Sequence, residues 1–173
     1  STSSRGLGDV YKRQGRCDEA LSLLREMSGA RVQPNEVSYN AAISACEKAG
    51  RCNEALSLLR EMPSAGVQPD VISFNAAIQA CAAAQQPDEA LRLFKEALRS
   101  VEADCTAFNA VLDAVASPQP AIARELWLQG CERGLYPDVI SYNATVSACE
   151  KAGQWEKALS LLREMPDAGL SPN

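Results

Sequence analysis

The chain has 173 residues, a net charge of −5 and seven cysteines, but no histidine. Without histidine, most acid–base and nucleophilic schemes at neutral pH lose their usual side chain; no two cysteines are separated by only two residues, so zinc-type spacing is missing as well. The acidic balance weighs mildly against a nucleic-acid partner, because phosphate affinity usually comes from lysine and arginine, although the charge that matters is that of the face that binds.

No stretch approaches the roughly 18 consecutive apolar residues of a membrane helix, and nothing resembles a secretory apolar core, so a soluble chain without membrane contact is expected. Taken in order, Ser1 to Gln14 (STSSRGLGDVYKRQ) has no helical apolar period and reads as foreign or mistranslated sequence joined to the patterned chain, with a basic tail or a degenerate cap as the alternative, and is expected to be poorly ordered. Low amide protection across Val10 to Gln14 in hydrogen exchange is the corresponding expectation. From Gly15 a pattern begins. GRCDEALSLLREM returns as GRCNEALSLLREM at Gly50 to Met62, as PDEALRLFKEA at Pro87 to Ala97, and as GQWEKALSLLREM at Gly153 to Met165. In the second copy Ala55, Leu59 and Met62 fall at i, i+4 and i+7, with Leu56 and Leu58 widening the stripe, which predicts a helix that packs on both sides. Asp18, Asn53 and Asp88 stand where an N-cap is expected, and Pro63 and Pro166 where the helix should stop.

A second motif alternates with the first. Ser38 to Gly50 (SYNAAISACEKAG) recurs at Ser141 to Gly153 (SYNATVSACEKAG), with diverged copies at Ser73 to Ala84 and Ala107 to Ala116. Its asparagines, Asn40, Asn75, Asn109 and Asn143, lie 35, 34 and 34 residues apart. A fixed period of this size means a solenoid of stacked units, each a pair of antiparallel helices. The units are Glu36–Asp70, Val71–Asp104, Cys105–Asp138 and Val139–Asn173, preceded by a half unit at Gly15–Asn35. Within the motif Tyr39, Ile43 and Cys46 share one helix face, and Gly50 and Gly153 make the turn to the second helix. Cys46, Cys81 and Cys149 occupy one register position at which the third unit has Val115, so these are small core residues of a reduced compartment. The third unit is irregular, with Ser117-Pro118-Gln119-Pro120 in its turn. The chain opens on Ser1 and closes where its last unit closes, which reads as a piece of a longer array with adjoining repeats and any targeting segment outside it.

Each unit thus carries an asparagine in its first helix and ends on Asp or Asn: Asn40 with Asp70, Asn75 with Asp104, Asn109 with Asp138, and Asn143 with Asn173. Asparagine is a poor helix former, so its recurrence has a cause. One cause is local, the closing residue capping the next helix and the amide bonding nearby backbone. The other is functional: stacking would line up the amides on one surface, each with a donor and an acceptor suited to base edges. The carboxylates of Glu54, Glu61, Glu89 and Glu96 read as a solvated face, with Arg92 and Glu96 at ordinary i,i+4 spacing.

V-x-S-Y/F-N, an Ala/Cys-rich helix, AG, E-A-L-x-L-x-x-E-M and a closing P-D or P-N together resemble pentatricopeptide repeats, over Gly15 to Asn173. The W-x2-L-G-x2-Y signature of the tetratricopeptide repeat is absent. The resemblance implies an all-α, right-handed superhelix of helix-turn-helix repeats that binds single-stranded RNA, one base per repeat, without cofactor, metal or catalytic residue in this segment. It implies that the Asn/Asp and Asn/Asn pairs read the base, uracil for Asn with Asp and cytosine or uracil for Asn with Asn, giving U-U-U-C/U. It further implies that Val37, Ile72, Thr106 and Ile140 sandwich bases and that Lys48 and Lys151 meet phosphate. A mitochondrial or plastid setting, in RNA processing, stability, translation or editing, belongs to the same implication. Any catalytic domain would lie beyond Asn173. The acidic charge and sparse lysines keep a second reading open, a solenoid for protein partners.

Overall fold

The computed structural model describes residues 2–100, 105–116, 119–135 and 138–151, with single positions beyond, and most side chains from Lys12 onward. Among the described residues there is no strand, and the helices run in the order α1 (Thr2–Gly29), α2 (Glu36–Lys48), α3 (Cys52–Ser64), α4 (Val71–Ala83), α5 (Pro87–Ser100), α6 (Cys105–Ala116), α7 (Pro120–Glu132) and α8 (Val139–Lys151). The alternation of first and second helices at the sequence period is therefore present. No helix among the described residues is long and apolar enough to cross a membrane. The second helix of the last repeat falls largely outside the described residues.

The chain forms two units, Ser1–Ala84 and Gln85–Asn173. In the first, α2 packs against α1, α3 and α4; in the second, α6 packs against α5, α7 and α8. Within these units α2 and α6 each sit between their own second helix and helices of neighbouring repeats, and their sequences are apolar enough to allow it. Tyr39, Ala42, Ile43 and Cys46 of α2 are buried, as are Ala55, Leu56, Leu58, Leu59 and Met62 of α3. Cys46, Cys81, Cys149 and Val115 all have no exposed surface, which is the shared small apolar site read from the register.

Local rules set the helix ends. The Arg51 N–H reaches the Cys46 carbonyl at 2.9 Å and the Gly50 N–H reaches Glu47 at 3.1 Å, a Schellman turn closed by Gly50 at φ +69°. Gly66 at φ +77° closes α3 in the same way, with Val67 N–H on Met62 and Gly66 N–H on Pro63. One period earlier the equivalent residue of α1 is Arg31, held at φ +59°. An L side chain is strained in that region, so Arg31→Gly is expected to raise stability by about 0.5–1 kcal/mol, read as an upward shift of the urea midpoint at unchanged slope.

Four sequence expectations are corrected. Pro63 does not end α3 but lies inside it, and the helix stops at the Gly66 turn. A proline in the last turn disturbs only one ladder bond, and the turn beyond it supplies the stop. Asn53 and Asp88 are not N-caps. Helix α3 starts at Cys52 with Arg51 at its cap position, making no side-chain cap, and α5 starts at Pro87, whose fixed φ suits the first helical position. Asp18 is not an N-cap either, since it lies within α1, which runs unbroken from Thr2 to Gly29 and includes residues 2–14. Propagation from an established turn costs little compared with nucleation. Arg92 pairs with Glu89, one turn toward the N-terminus of α5, and not with Glu96.

Close packing also explains one glycine. A Cβ on Gly130 of α7 would collide with the Phe108 ring of α6. Gly130→Ala is therefore expected to cost about 1–3 kcal/mol, measured by thermal or urea unfolding.

Candidate nucleic-acid interface

The first whole repeat shows why asparagine stands in its first helix. Asp70 is the N-cap of α4: its side chain accepts from the Ser73 N–H at 2.9 Å, while the Ser73 hydroxyl oxygen accepts from the Asp70 N–H at 3.1 Å. The same carboxylate accepts from Asn40 Nδ2 of α2, at 3.2 Å to Oδ1 and 3.4 Å to Oδ2. The Ser73 hydroxyl, buried with no exposed surface, lies 2.5 Å from Asn40 Oδ1 and donates to it. Both ends of the amide are thus engaged, leaving one N–H and one lone pair of Oδ1. One carboxylate therefore both caps a helix and holds the amide of the preceding repeat.

Burial pushes the Asp70 carboxyl up, but the Ser73 N–H and hydroxyl and the Asn40 amide outweigh it and hold the group below its ordinary value. A lowered carboxylate pKa adds stability above the unfolded value, near 3.9, and this is lost as pH falls through the folded value. Stability should accordingly decline on acidification below about pH 4, and less steeply in Asp70→Asn, in urea unfolding followed against pH.

In the third repeat Asn109 of α6 is half-buried, and its Oδ1 accepts from the Asp138 backbone N–H at 3.0 Å, just before α8. Asn and closing residue meet here too, through the opposite end of the amide. Asn75 on α4 and Asn143 on α8 are half-buried at the same register, whereas Asp104 and Asn173 lie outside the described residues. Val37 and Ile72, the second residues of their repeats, are 68% and 58% exposed, unusual for aliphatic side chains next to a packed core. Thr106 is exposed at the equivalent place; the Ile140 side chain is outside the described residues. Lys48 is exposed in the last turn of α2. Lys151 ends α8, and its side chain too is outside the described residues.

Sequence reasoning missed Ser73. The available signal was the serine three places after each closing residue, at Ser38, Ser73 and Ser141, where the third repeat has Ala107. It also missed Arg51, which bonds Asp18 of α1 and Glu54 of α3 and so ties two second helices together at one helix start. Glu54 is held below its ordinary pKa mainly by this guanidinium. Two thiol pairs, Cys17 with Cys46 and Cys52 with Cys81, meet at 2.9 Å between sulfurs. Burial, and next the Cys17 contact, push the Cys46 thiol up to about 12. Among the six free cysteines described, only Cys105 is exposed. In the native protein Cys105 should react with a thiol reagent well before the other five, and all should react in denaturant. No group of three or more metal-ligating side chains occurs among the described residues.

The PPR repeat family matches residues 34–83 and 137–173, the PPR repeat matches 72–100, and the pentatricopeptide repeat domain matches 7–49. A chloroplastic pentatricopeptide repeat-containing protein of Arabidopsis thaliana is 33% identical over 63 residues, which is 36% of this chain and 6% of that protein. The crystal structure of pentatricopeptide repeat protein PPR10 from maize superposes with a TM-score of 0.68 at 29% identity, over 95% of this chain and 24% of that one. The PPR domain of Arabidopsis thaliana protein-only RNase P 1, solved in complex with tRNA, gives 0.80 at 16% identity, over 99% and 91%. This chain spans only a small part of the curated relative and about a quarter of PPR10.

Proposed function

Because the chain belongs to the pentatricopeptide repeat family, whose repeats match half of its length, we propose that it binds single-stranded RNA, one base per repeat, as part of a longer array. The observation that carries this reading is the Asn40–Asp70 pair. The amide is held at both ends, with exposed Val37 one turn earlier on α2 and exposed Ile72 in the first turn of α4 beside the Asp70 cap. A base stacked between such side chains would meet the free N–H and lone pair of Asn40, and uracil supplies an acceptor and a donor to match.

The pairs Asn40/Asp70, Asn75/Asp104, Asn109/Asp138 and Asn143/Asn173 then read U-U-U-C/U, with Val37, Ile72, Thr106 and Ile140 against base faces and Lys48 and Lys151 toward phosphate. No side chain of this segment is given a catalytic role. The organelle setting follows the family and its chloroplastic relative. Four modules contributing about 1–3 kcal/mol each must offset roughly 4–15 kcal/mol of association cost, so the segment alone should bind weakly and best at low salt. Fluorescence titration of short strands carrying UUUC, UUUU, AAAA or GGGG, at low and high salt, tests it. A pyrimidine preference supports the reading. Absence of RNA binding at low salt would favour a protein partner, to which the charge of −5 is better suited.

A further inference from the structure

We propose that base choice by the module of Asn40 and Asp70 depends on a third residue from the next repeat, Ser73, acting as a positioning residue. The inference rests on the RNA-binding reading proposed for the Asn–Asp pairs.

A carboxylate only accepts, so Asp70 draws Asn40 Nδ2 toward itself. This holds one end of the amide. The other end, Oδ1, meets the Ser73 hydroxyl, whose oxygen already accepts from the Asp70 N–H and whose one proton goes to the nearer of two acceptors, Asn40 Oδ1 at 2.5 Å against Asp70 Oδ1 at 2.9 Å. Rotating the amide by half a turn would set Oδ1 against the carboxylate and the NH2 against the hydroxyl proton, opposing both contacts. With both partners present the donor and acceptor of Asn40 have fixed places, which suits uracil and not cytosine, whose corresponding edge has donor and acceptor reversed. With Asp70 alone, one end is held and Oδ1 is free to shift.

A matched control exists in the same unit. Ser38 has the same capping-box role toward Asn35: its oxygen accepts from the Asn35 N–H at 3.3 Å and its hydroxyl donates to Asn35 Oδ1 at 3.0 Å. Ser38 is bonded within its own cap, whereas Ser73 also reaches across to the preceding repeat, 33 residues back. Removing either hydroxyl weakens one helix cap; only Ser73 touches an amide of the reading pair.

The test is titration of the whole chain with U-U-U-C and with C-U-U-C, strands that differ only at the nucleotide facing the first whole repeat. Ser73→Ala is expected to reduce the uracil-over-cytosine preference roughly fivefold, the weight of one hydrogen bond. Ser73→Thr, which keeps the hydroxyl, is expected to retain it, and Ser38→Ala to lower thermal stability while leaving the preference unchanged. If Ser73→Ala does not fold, Ser73→Cys supplies a side chain of similar size with a weak donor and an intermediate preference is expected. An unchanged preference in folded Ser73→Ala or Ser73→Cys would overturn the inference and leave the RNA reading standing. No binding of either strand by the unsubstituted chain would overturn the RNA reading, and this inference with it.

Discussion

Trp127→Ala is expected to destabilise the protein by about 3–5 kcal/mol, the range for deleting a large aromatic side chain from a packed interior. Trp127 is 1% exposed in α7, and its ring meets Tyr142 of α8, itself fully buried, edge-on. This contact joins the second helix of one repeat to the first helix of the next, so the loss falls on an interface between repeats. In a repeat array, stability is a sum of unit and nearest-neighbour terms, and damage to one interface is felt first by the helices that share it. Amide exchange should therefore accelerate in α7 and α8 well before α2 and α3. Trp127→Phe, which keeps a ring against Tyr142, should lose clearly less. Equal protection of α7 and α8 in Trp127→Ala and the unsubstituted protein would show that the ring contributes little there.

Asp70→Ala should have the next largest effect, about 2–4 kcal/mol, because one side chain has two duties. Loss of a side-chain N-cap costs about 0.5–2 kcal/mol, and depriving the half-buried Asn40 amide of its acceptor adds about 1–3 kcal/mol. Asp70→Asn separates the duties. Asparagine caps a helix about as well as aspartate, so stability should fall by less than about 1 kcal/mol. Its amide, however, can donate as well as accept, which removes the acceptor-only constraint on Asn40. In the proposed reading the base preference at this module then moves from uracil toward cytosine. Urea unfolding and RNA titration of the two variants give these effects separately, and equal stability of Asp70→Ala and Asp70→Asn would contradict the division.

Most of the fold was legible in the sequence because a solenoid repeats its own evidence. The 35-residue interval between Asn40 and Asn75 gives the period, Cys46, Cys81 and Cys149 identify one core position, and Val115 identifies its chemistry, since only an apolar environment accepts both residue types. The stripe of Ala55, Leu59 and Met62 likewise found its place inside. What escaped the sequence were interactions whose partners lie a repeat away. Arg51 stands where a capping side chain was sought, and the contacts that occupy it come from Asp18, 33 residues earlier, and Glu54. The stop of α3 depended on Gly66 and not on the more conspicuous Pro63. Within the candidate site the Asn–Asp pairing followed from recurrence, and the structure adds the bond between Asn40 and Asp70. Ser73 remained hidden because its hydroxyl already had a sufficient role in the capping box, and nothing in the local pattern shows that it also reaches Asn40.

If the asparagine amide is the base-reading group, substitution at Asn40 exposes that role most directly. The measurement is the affinity of Asn40→Thr and of the unsubstituted chain for U-U-U-C and G-U-U-C. Threonine replaces the carboxamide, with its separate donor and acceptor, by a single shorter hydroxyl, so the preference at the first nucleotide is expected to move from pyrimidine toward purine, with the other three nucleotides read as before. The same uracil preference in both proteins, at comparable affinity, would contradict the claim that Asn40 reads the base.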